Sequence, residues 1–205
     1  MSSINPWRSM WLRPRETIRW VVQTDPRYGV FWLSGIYILQ SLFFFLNFWS
    51  FGLTVHYYAI LIPSLVLAPL LGVIWVWFYG WLLQCTGRWL GGDAPASHVR
   101  AALAWSRLPM SAAFVLWVFL FFQQPEEMFI QHGPGTLAPV IHTTLFLLEI
   151  WTLILFVQAI REVHHFSLLK SLLNIFTSWI LYLVIIFLIM LVARFLSISL
   201  SLTSK

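Results

Sequence analysis

The chain consists of long apolar stretches separated by short polar segments. Because a helix rises about 1.5 Å per residue and the hydrocarbon core of a bilayer is about 30 Å thick, roughly 20 apolar residues suffice for one crossing. None of the long stretches alternates apolar with polar residues, as the strands of a membrane barrel do. Five stretches reach the required length, namely Val30 to Ser50, Tyr57 to Gln84, Ala102 to Phe122, Ala138 to Ile160, and Leu172 to Leu196.

The pattern therefore predicts an all-α integral membrane protein, a bundle of five transmembrane helices. Hydrophobic residues make up 60% of the chain and charged residues 9%, which is too little polar surface for a water-soluble protein of 205 residues. We expect one domain at 30–198, preceded by a cytoplasmic interfacial segment at 1–29 and followed by a short tail at 199–205. Pro63, Pro69 and Gly72 in the second stretch predict a kinked or strongly tilted helix.

The basic residues predict the orientation of the chain. Short loops that are rich in Lys and Arg stay in the cytoplasm. The loops at 51–56 and 123–137 contain no Lys or Arg, and they would lie outside. Nine basic residues would share the inner face: Arg8, Arg13, Arg15, Arg19, Arg27, Arg88, Arg100, Arg161 and Lys170. We expect a multi-pass membrane protein with its N-terminus cytoplasmic and its C-terminus outside.

The segment before the first span predicts a short amphipathic helix that lies in the membrane interface. Pro14 is suited to the first turn of a helix, and the residues after it place Ile18 and Val21 on the side away from the arginines. Arginines at this depth can contact anionic lipid headgroups. The candidate headgroup contacts are Arg8, Arg13, Arg15 and Arg19. The simpler alternative is that these arginines only set the topology.

Three segments of the chain resemble one membrane-protein family. The first comprises Asn5-Pro6-Trp7, residues 13–19, and Thr24-Asp25-Pro26-Arg27. The second comprises Leu90-Gly91-Gly92, residues 99–106 and Leu108-Pro109, and the third is 160–167. In order and spacing they are similar to bacterial members of the Yip family, the Ypt/Rab-interacting membrane proteins.

The resemblance implies a five-span fold with a cytoplasmic N-terminus. Eukaryotic members of the family are associated with Rab-type GTPases and vesicle traffic. The segment Asp25-Pro26-Arg27-Tyr28-Gly29 departs from their Asp-Leu-Tyr-Gly-Pro signature, and the long polar N-terminal region of those members is missing. We therefore do not expect binding to Rab proteins.

One carboxylate falls in the middle of a predicted span. Glu149 would lie roughly 16 Å from either end of the fourth helix. Because a charge at this depth is costly, Glu149 should be neutral or should have a partner, and Arg107 in the third span is the predicted partner. The functional interpretation is a proton or cation site in a transporter. The structural interpretation, which we favour, is a polar contact between helices.

Other chemistry receives little support from the sequence. There is no Gly-rich phosphate loop, zinc-protease motif or Gly-x-Ser-x-Gly motif, so we expect no enzyme activity and no cofactor. Glu162, His164 and His165 form a compact polar cluster, but adjacent histidines diverge on a helix, and we expect no metal site. The basic residues flank apolar spans and form no nucleic-acid-binding stripe. We expect no nucleic acid as a partner.

The leading hypothesis is a non-enzymatic scaffold or lipid-organising component of the membrane-trafficking type. Its partners would be membrane lipids, other proteins or a second copy of the chain, engaged through the cytoplasmic face. The alternative is a small transporter or channel subunit that uses Glu149 and the proline-containing second span. A third hypothesis is a subunit of a larger complex, in which protein covers part of the aromatic surface.

Overall fold

The computed structural model describes residues 5–131 and 137–203, without the side chains of residue 138 and of residues 197–203. Two short helices, α1 (Pro6–Ser9) and α2 (Pro14–Thr24), precede the apolar stretches. 3₁₀ turns lie at Phe51–Leu53 and Pro125–Glu127, and no strand occurs in the described ranges. The remaining helices are α3 (Val30–Phe48), α4 (Tyr57–Trp89), α5 (Ala96–Ser106), α6 (Leu108–Ala112), α7 (Phe114–Gln123), α8 (Leu137–His164) and α9 (Leu168–Thr203).

The all-α membrane fold is confirmed, but the third crossing is not one continuous helix. Helices α3, α4, α8 and α9 are each long and apolar enough to span a membrane. Helix α5 and the segment 108–123 form a fifth crossing only as a pair bent by 46°. The predicted third span, from Ala102 to Phe122, therefore corresponds to a bent pair of helical segments that begins at Ala96. Pro109 explains the break, because its ring lacks an N–H and would clash with the carbonyl of Trp105 in a continuous helix.

Helix α4, in contrast, continues through both of its prolines. Its 33 residues would extend about 50 Å, so the helix must tilt or project beyond the hydrocarbon core. It crosses α3 at very short range, because a Cβ at Gly72 would lie 2.7 Å from the backbone nitrogen of Gly35. Glycine therefore allows the two backbones to approach closely. The kink predicted from Pro63, Pro69 and Gly72 stays a prediction.

The N-terminal helices are held against the bundle by Trp105, which is fully buried. The indole Nε1 of Trp105 donates a hydrogen bond to the carbonyl of Tyr28 at 2.9 Å. The ring of Trp7 lies with its centroid 5.0 Å away from that of Trp105. Gly29 immediately precedes α3 and has a φ of +72°, and a Cβ there would lie 3.0 Å from the Trp105 ring. Glycine thus satisfies both the backbone conformation and the packing.

Helix α2 has the predicted amphipathic character, but it packs on protein. Ile18 and Val21 are completely buried in the main core, together with residues of α5 and α8. Its apolar side therefore covers the end of the bundle, and the location of α2 in the membrane interface stays a prediction. We call this end, where α1, α2, the α4–α5 loop and the α8–α9 loop meet, the basic end.

The fully buried side chains of helix α9, among those that the structure describes, lie in its first half. Ser171, Asn174 and Ser178 are fully buried, and the Thr86 hydroxyl of α4 lies 2.5 Å from Asn174 Oδ1. From Leu183 to Leu196 most apolar side chains are exposed, as expected for a helix that faces lipid. The helix continues to Thr203, beyond the predicted end of the fifth span. Residues 204 and 205 of the predicted tail lie outside the described residues.

Candidate functional site

The structure brings the two predicted intramembrane charges together. Arg107 Nη1 lies 3.3 Å from Glu149 Oε1. The side chain of Arg107 is 10% exposed, whereas that of Glu149 is 50% exposed. The buried cation also lies near aromatic faces, with its guanidinium carbon 5.0 Å from the ring centroid of Phe156 and 5.1 Å from that of Tyr37. These contacts compensate part of the cost of burying the charge.

The break in the third crossing places Arg107. This residue ends α5 and precedes α6, with φ of −82° and ψ of 2°. Its side chain extends between α3, α4 and α8, where the guanidinium group lies near the rings of Tyr37, Trp75 and Phe156. The Nε atom of Arg107 is buried and has no hydrogen-bond partner among the described residues. Among the described carboxylates, Glu149 alone pairs with this cation.

Glu149 also lines a groove of about 450 Å³ beside α3 and α8. The polar wall of this groove includes Gln40, whose two amide atoms are buried without a partner in the described part of the chain. His142 lies on the same wall, and its Nε2 is 2.9 Å from Asn47 Oδ1. Asn47 in turn donates a hydrogen bond to the carbonyl of Met128 at 3.0 Å. The groove thus combines apolar walls with several hydrogen-bonding groups.

A second ionic site attaches α2 to α8 at the basic end. The Nε of Arg15 donates a hydrogen bond to Glu162 Oε2 at 2.9 Å. Arg19 donates one to the other oxygen, Oε1, at 2.7 Å. The hydrogen bond to Glu162 raises the pKa of Arg19 above its ordinary value. Glu162 is 5% exposed, whereas the two arginine side chains are about half exposed. We call this arrangement the arginine clamp.

The four candidate headgroup arginines therefore fall into two groups. Arg15 and Arg19 are in the arginine clamp, which the sequence did not reveal. Arg13 is exposed and lies 3.8 Å from the Glu16 carboxylate, a weak pair on one turn of α2. Arg8 is exposed, and no described carboxylate forms an ion pair with it. The sequence contains one signal for the arginine clamp, because Glu162 is an acidic residue in the predicted basic loop between the fourth and fifth spans.

The polar cluster around Glu162 does not converge on one point. Glu162 is occupied by the two arginines, while the His164 ring is buried and stacks on Phe166 with centroids 4.9 Å apart. His165 is exposed and has a positive φ of 55°. In the described ranges, no group of three His, Cys, Asp or Glu residues could hold a metal ion.

Comparison with known proteins identifies the family. The chain matches the Yip1 domain over residues 7–191. It belongs to the Yip1 domain family. The matched region contains both the arginine clamp and the Arg107–Glu149 pair, so both are parts of this family member's domain. No curated protein and no solved structure matches the chain significantly. Family membership and the apolar helices together identify a multi-pass integral membrane protein.

Proposed function

We propose that this Yip1-domain protein is a non-enzymatic scaffold or lipid-organising component of the membrane-trafficking type. Its contact surface is the basic end, which faces the cytoplasm in a bacterial inner membrane. The observation that supports this proposal most directly is the arginine clamp, because it adds ionic contacts to the apolar packing of α2 and so fixes this helix as a rigid cover on the bundle.

The clamp leaves other basic and apolar groups available at the same end. Arg8 and Arg88 are exposed, and no described carboxylate pairs with either of them. Large apolar side chains lie beside them, with Leu12 83% and Trp89 70% exposed. Arginine together with tryptophan suits the headgroup layer, where a charge meets phosphate and an indole meets the acyl boundary.

A rigid surface favours binding, because less conformational entropy is lost when a partner or a lipid engages it. Glu162 contributes to this rigidity by holding two arginines of α2 with separate oxygens. Trp105 contributes from the other side through its hydrogen bond to Tyr28. The basic end is thus ordered by protein contacts before any partner arrives.

Cross-linking in native membranes tests this proposal. The variant Arg8→Glu/Arg88→Glu reverses two exposed charges and leaves the arginine clamp intact. We expect it to lose cross-links from the basic end to neighbouring proteins or to a second copy. The matched control is Glu126→Lys, which reverses an exposed charge at the opposite end and should retain them. Equal cross-linking of all three proteins would contradict the proposal.

The groove beside Glu149 favours a second candidate, a small transporter or channel subunit. Half of the Glu149 side chain is exposed on that groove, so a solute or proton could reach it. The variant Glu149→Gln separates the two functions. Normal abundance and normal basic-end cross-links with a loss of solute flux would favour transport. Unchanged flux would favour the scaffold.

A further inference from the structure

A second groove, of about 440 Å³, lies at the basic end between α3, α4 and α5. Its apolar wall is formed mainly by Val30, Phe31, Val73, Val76 and Trp77. Arg27 and Arg100 line the same groove. Arg27 lies three residues before the start of α3, so the two cations are at the level where the first span enters the membrane.

The two arginines of this groove are paired with no acidic side chain in the described part of the chain. No described carboxylate forms an ion pair with Arg27 or Arg100. Because both arginines line the same groove, their like charges repel each other there. Two like charges that share one groove near apolar walls favour an anion between them. This arrangement differs from the arginine clamp, where Glu162 already supplies the negative charge.

Arg100 is held in place by its neighbours. Its guanidinium carbon lies 3.8 Å from the ring centroid of Trp77, which is a close cation–π contact. Its aliphatic stem packs against Gly80, where a Cβ would lie only 2.8 Å from Arg100 Cγ. Any residue larger than glycine at position 80 would displace this stem, so Gly80 provides the space in which the Arg100 side chain lies.

We propose that this groove binds one anionic phospholipid. The phosphate lies between Arg27 and Arg100, whose planar guanidinium groups suit phosphate oxygens. An acyl chain follows the apolar wall past Phe31, Val73 and Trp77. A free phosphate would use only the two cations and leave this wall empty, so the groove as a whole fits a lipid. The inference deepens the proposed lipid-organising role and rests on it.

Native mass spectrometry of the detergent-extracted full chain tests the lipid site. The probes are dioleoyl phosphatidylglycerol, dioleoyl phosphatidylcholine and inorganic phosphate. We expect one phosphatidylglycerol to be retained in preference to phosphatidylcholine, and no comparable retention of phosphate. Arg27→Gln/Arg100→Gln should weaken phosphatidylglycerol binding by roughly tenfold or more, because two charge-assisted hydrogen-bonding groups are lost.

The matched control is Arg161→Gln/Lys170→Gln, which removes two charges from the same end but outside the groove. It should change phosphatidylglycerol binding by less than about twofold. A third variant, Val73→Phe, keeps both arginines and fills the apolar wall, and it should also weaken the binding. Thermal unfolding without added lipid checks that each variant is folded.

Several results would overturn the site. An equal loss of phosphatidylglycerol binding in the two double variants would show that general surface charge, and not this groove, holds the lipid. Equal binding of both lipids would remove charge recognition, and equal retention of inorganic phosphate would identify a simple anion site. Unchanged binding by Val73→Phe would remove the acyl-chain contact. If any of these occurs while basic-end cross-links persist, the lipid site fails and the scaffold proposal stands. If the native protein itself forms no cross-links from the basic end, that result would instead count against the scaffold.

Discussion

The arginine clamp and the Arg107–Glu149 pair have opposite patterns of burial. In the arginine clamp the carboxylate is buried, with Glu162 5% exposed, and its two arginines are about half exposed. In the Arg107–Glu149 pair the cation is buried and the carboxylate is half exposed. The clamp joins two helices at the basic end, whereas the pair lies at a helix break within the bundle.

This difference shows where each site is vulnerable. A carboxylate can become neutral by taking up a proton when its partner is lost, but an arginine stays charged at any accessible pH. Loss of Glu149 therefore leaves a buried charge that has no way to neutralise. Loss of Glu162 leaves two half-exposed arginines that water or headgroups can solvate. The site with the buried cation should depend more on its partner.

The largest effect is expected from Glu149→Leu. Removing the partner of a buried charge costs about 3 kcal/mol in the free energy of unfolding. The aromatic rings of Tyr37 and Phe156 near Arg107 should keep the cost from rising further. Reversible unfolding in mixed micelles measures this quantity. The double variant Arg107→Leu/Glu149→Leu is the control and should recover most of the stability. No recovery in the double variant would show that the pair does not act as a unit.

A smaller effect is expected from Glu162→Gln. Loss of the carboxylate charge should cost about 1–2 kcal/mol in the free energy of unfolding and should loosen α2 from α8. Hydrogen exchange of the α2 backbone amides reports that loosening. Glu16→Gln is the matched control, because Glu16 lies on α2 and forms only an exposed pair. It should change stability by less than about 0.5 kcal/mol. Equal hydrogen exchange of the α2 amides in both variants would show that Glu162 does not hold α2 against α8.

The smallest effect is expected from salt. Raising the ionic strength from about 0.1 M to about 1 M shortens the screening length from about 10 Å to about 3 Å. The half-exposed arginines of the clamp should respond, so protection of the α2 amides should fall by about twofold. The amides around Glu149 in α8 should not change. A larger response around Glu149 than in α2 would reverse the comparison between the two sites.

Much of the fold followed from the sequence, because the bilayer imposes a simple rule on length and hydrophobicity. The spans beginning at Val30 and Tyr57 start where the structure has α3 and α4. The break at Arg107 did not follow, since the sequence pattern drew attention to Pro63 and Pro69, and tertiary packing decides whether a proline interrupts its helix. Pro63 and Pro69 lie within the continuous α4, whereas Pro109 lies just after the break.

The candidate sites could be predicted from the sequence only in part. A lone carboxylate in mid-span stands out, so Glu149 and its partner Arg107 could be proposed from spacing and reach. The arginine clamp joins residues 143 and 147 positions apart, and no local pattern connects Arg15 or Arg19 with Glu162. The groove of Arg27 and Arg100 likewise depends on how α3, α4 and α5 pack. Long-range contacts of charged residues were thus the missing information.

The most direct test of the account is which side of the membrane the basic end faces. Cys85 is the single cysteine, so Cys85→Ser provides a background for Arg8→Cys, Arg88→Cys and Glu126→Cys. A membrane-impermeant maleimide applied to intact cells and to inverted vesicles measures the accessibility of each position. We predict that positions 8 and 88 label only from the cytoplasmic side and position 126 only from outside. Labelling of positions 8 and 126 from the same side would contradict the account.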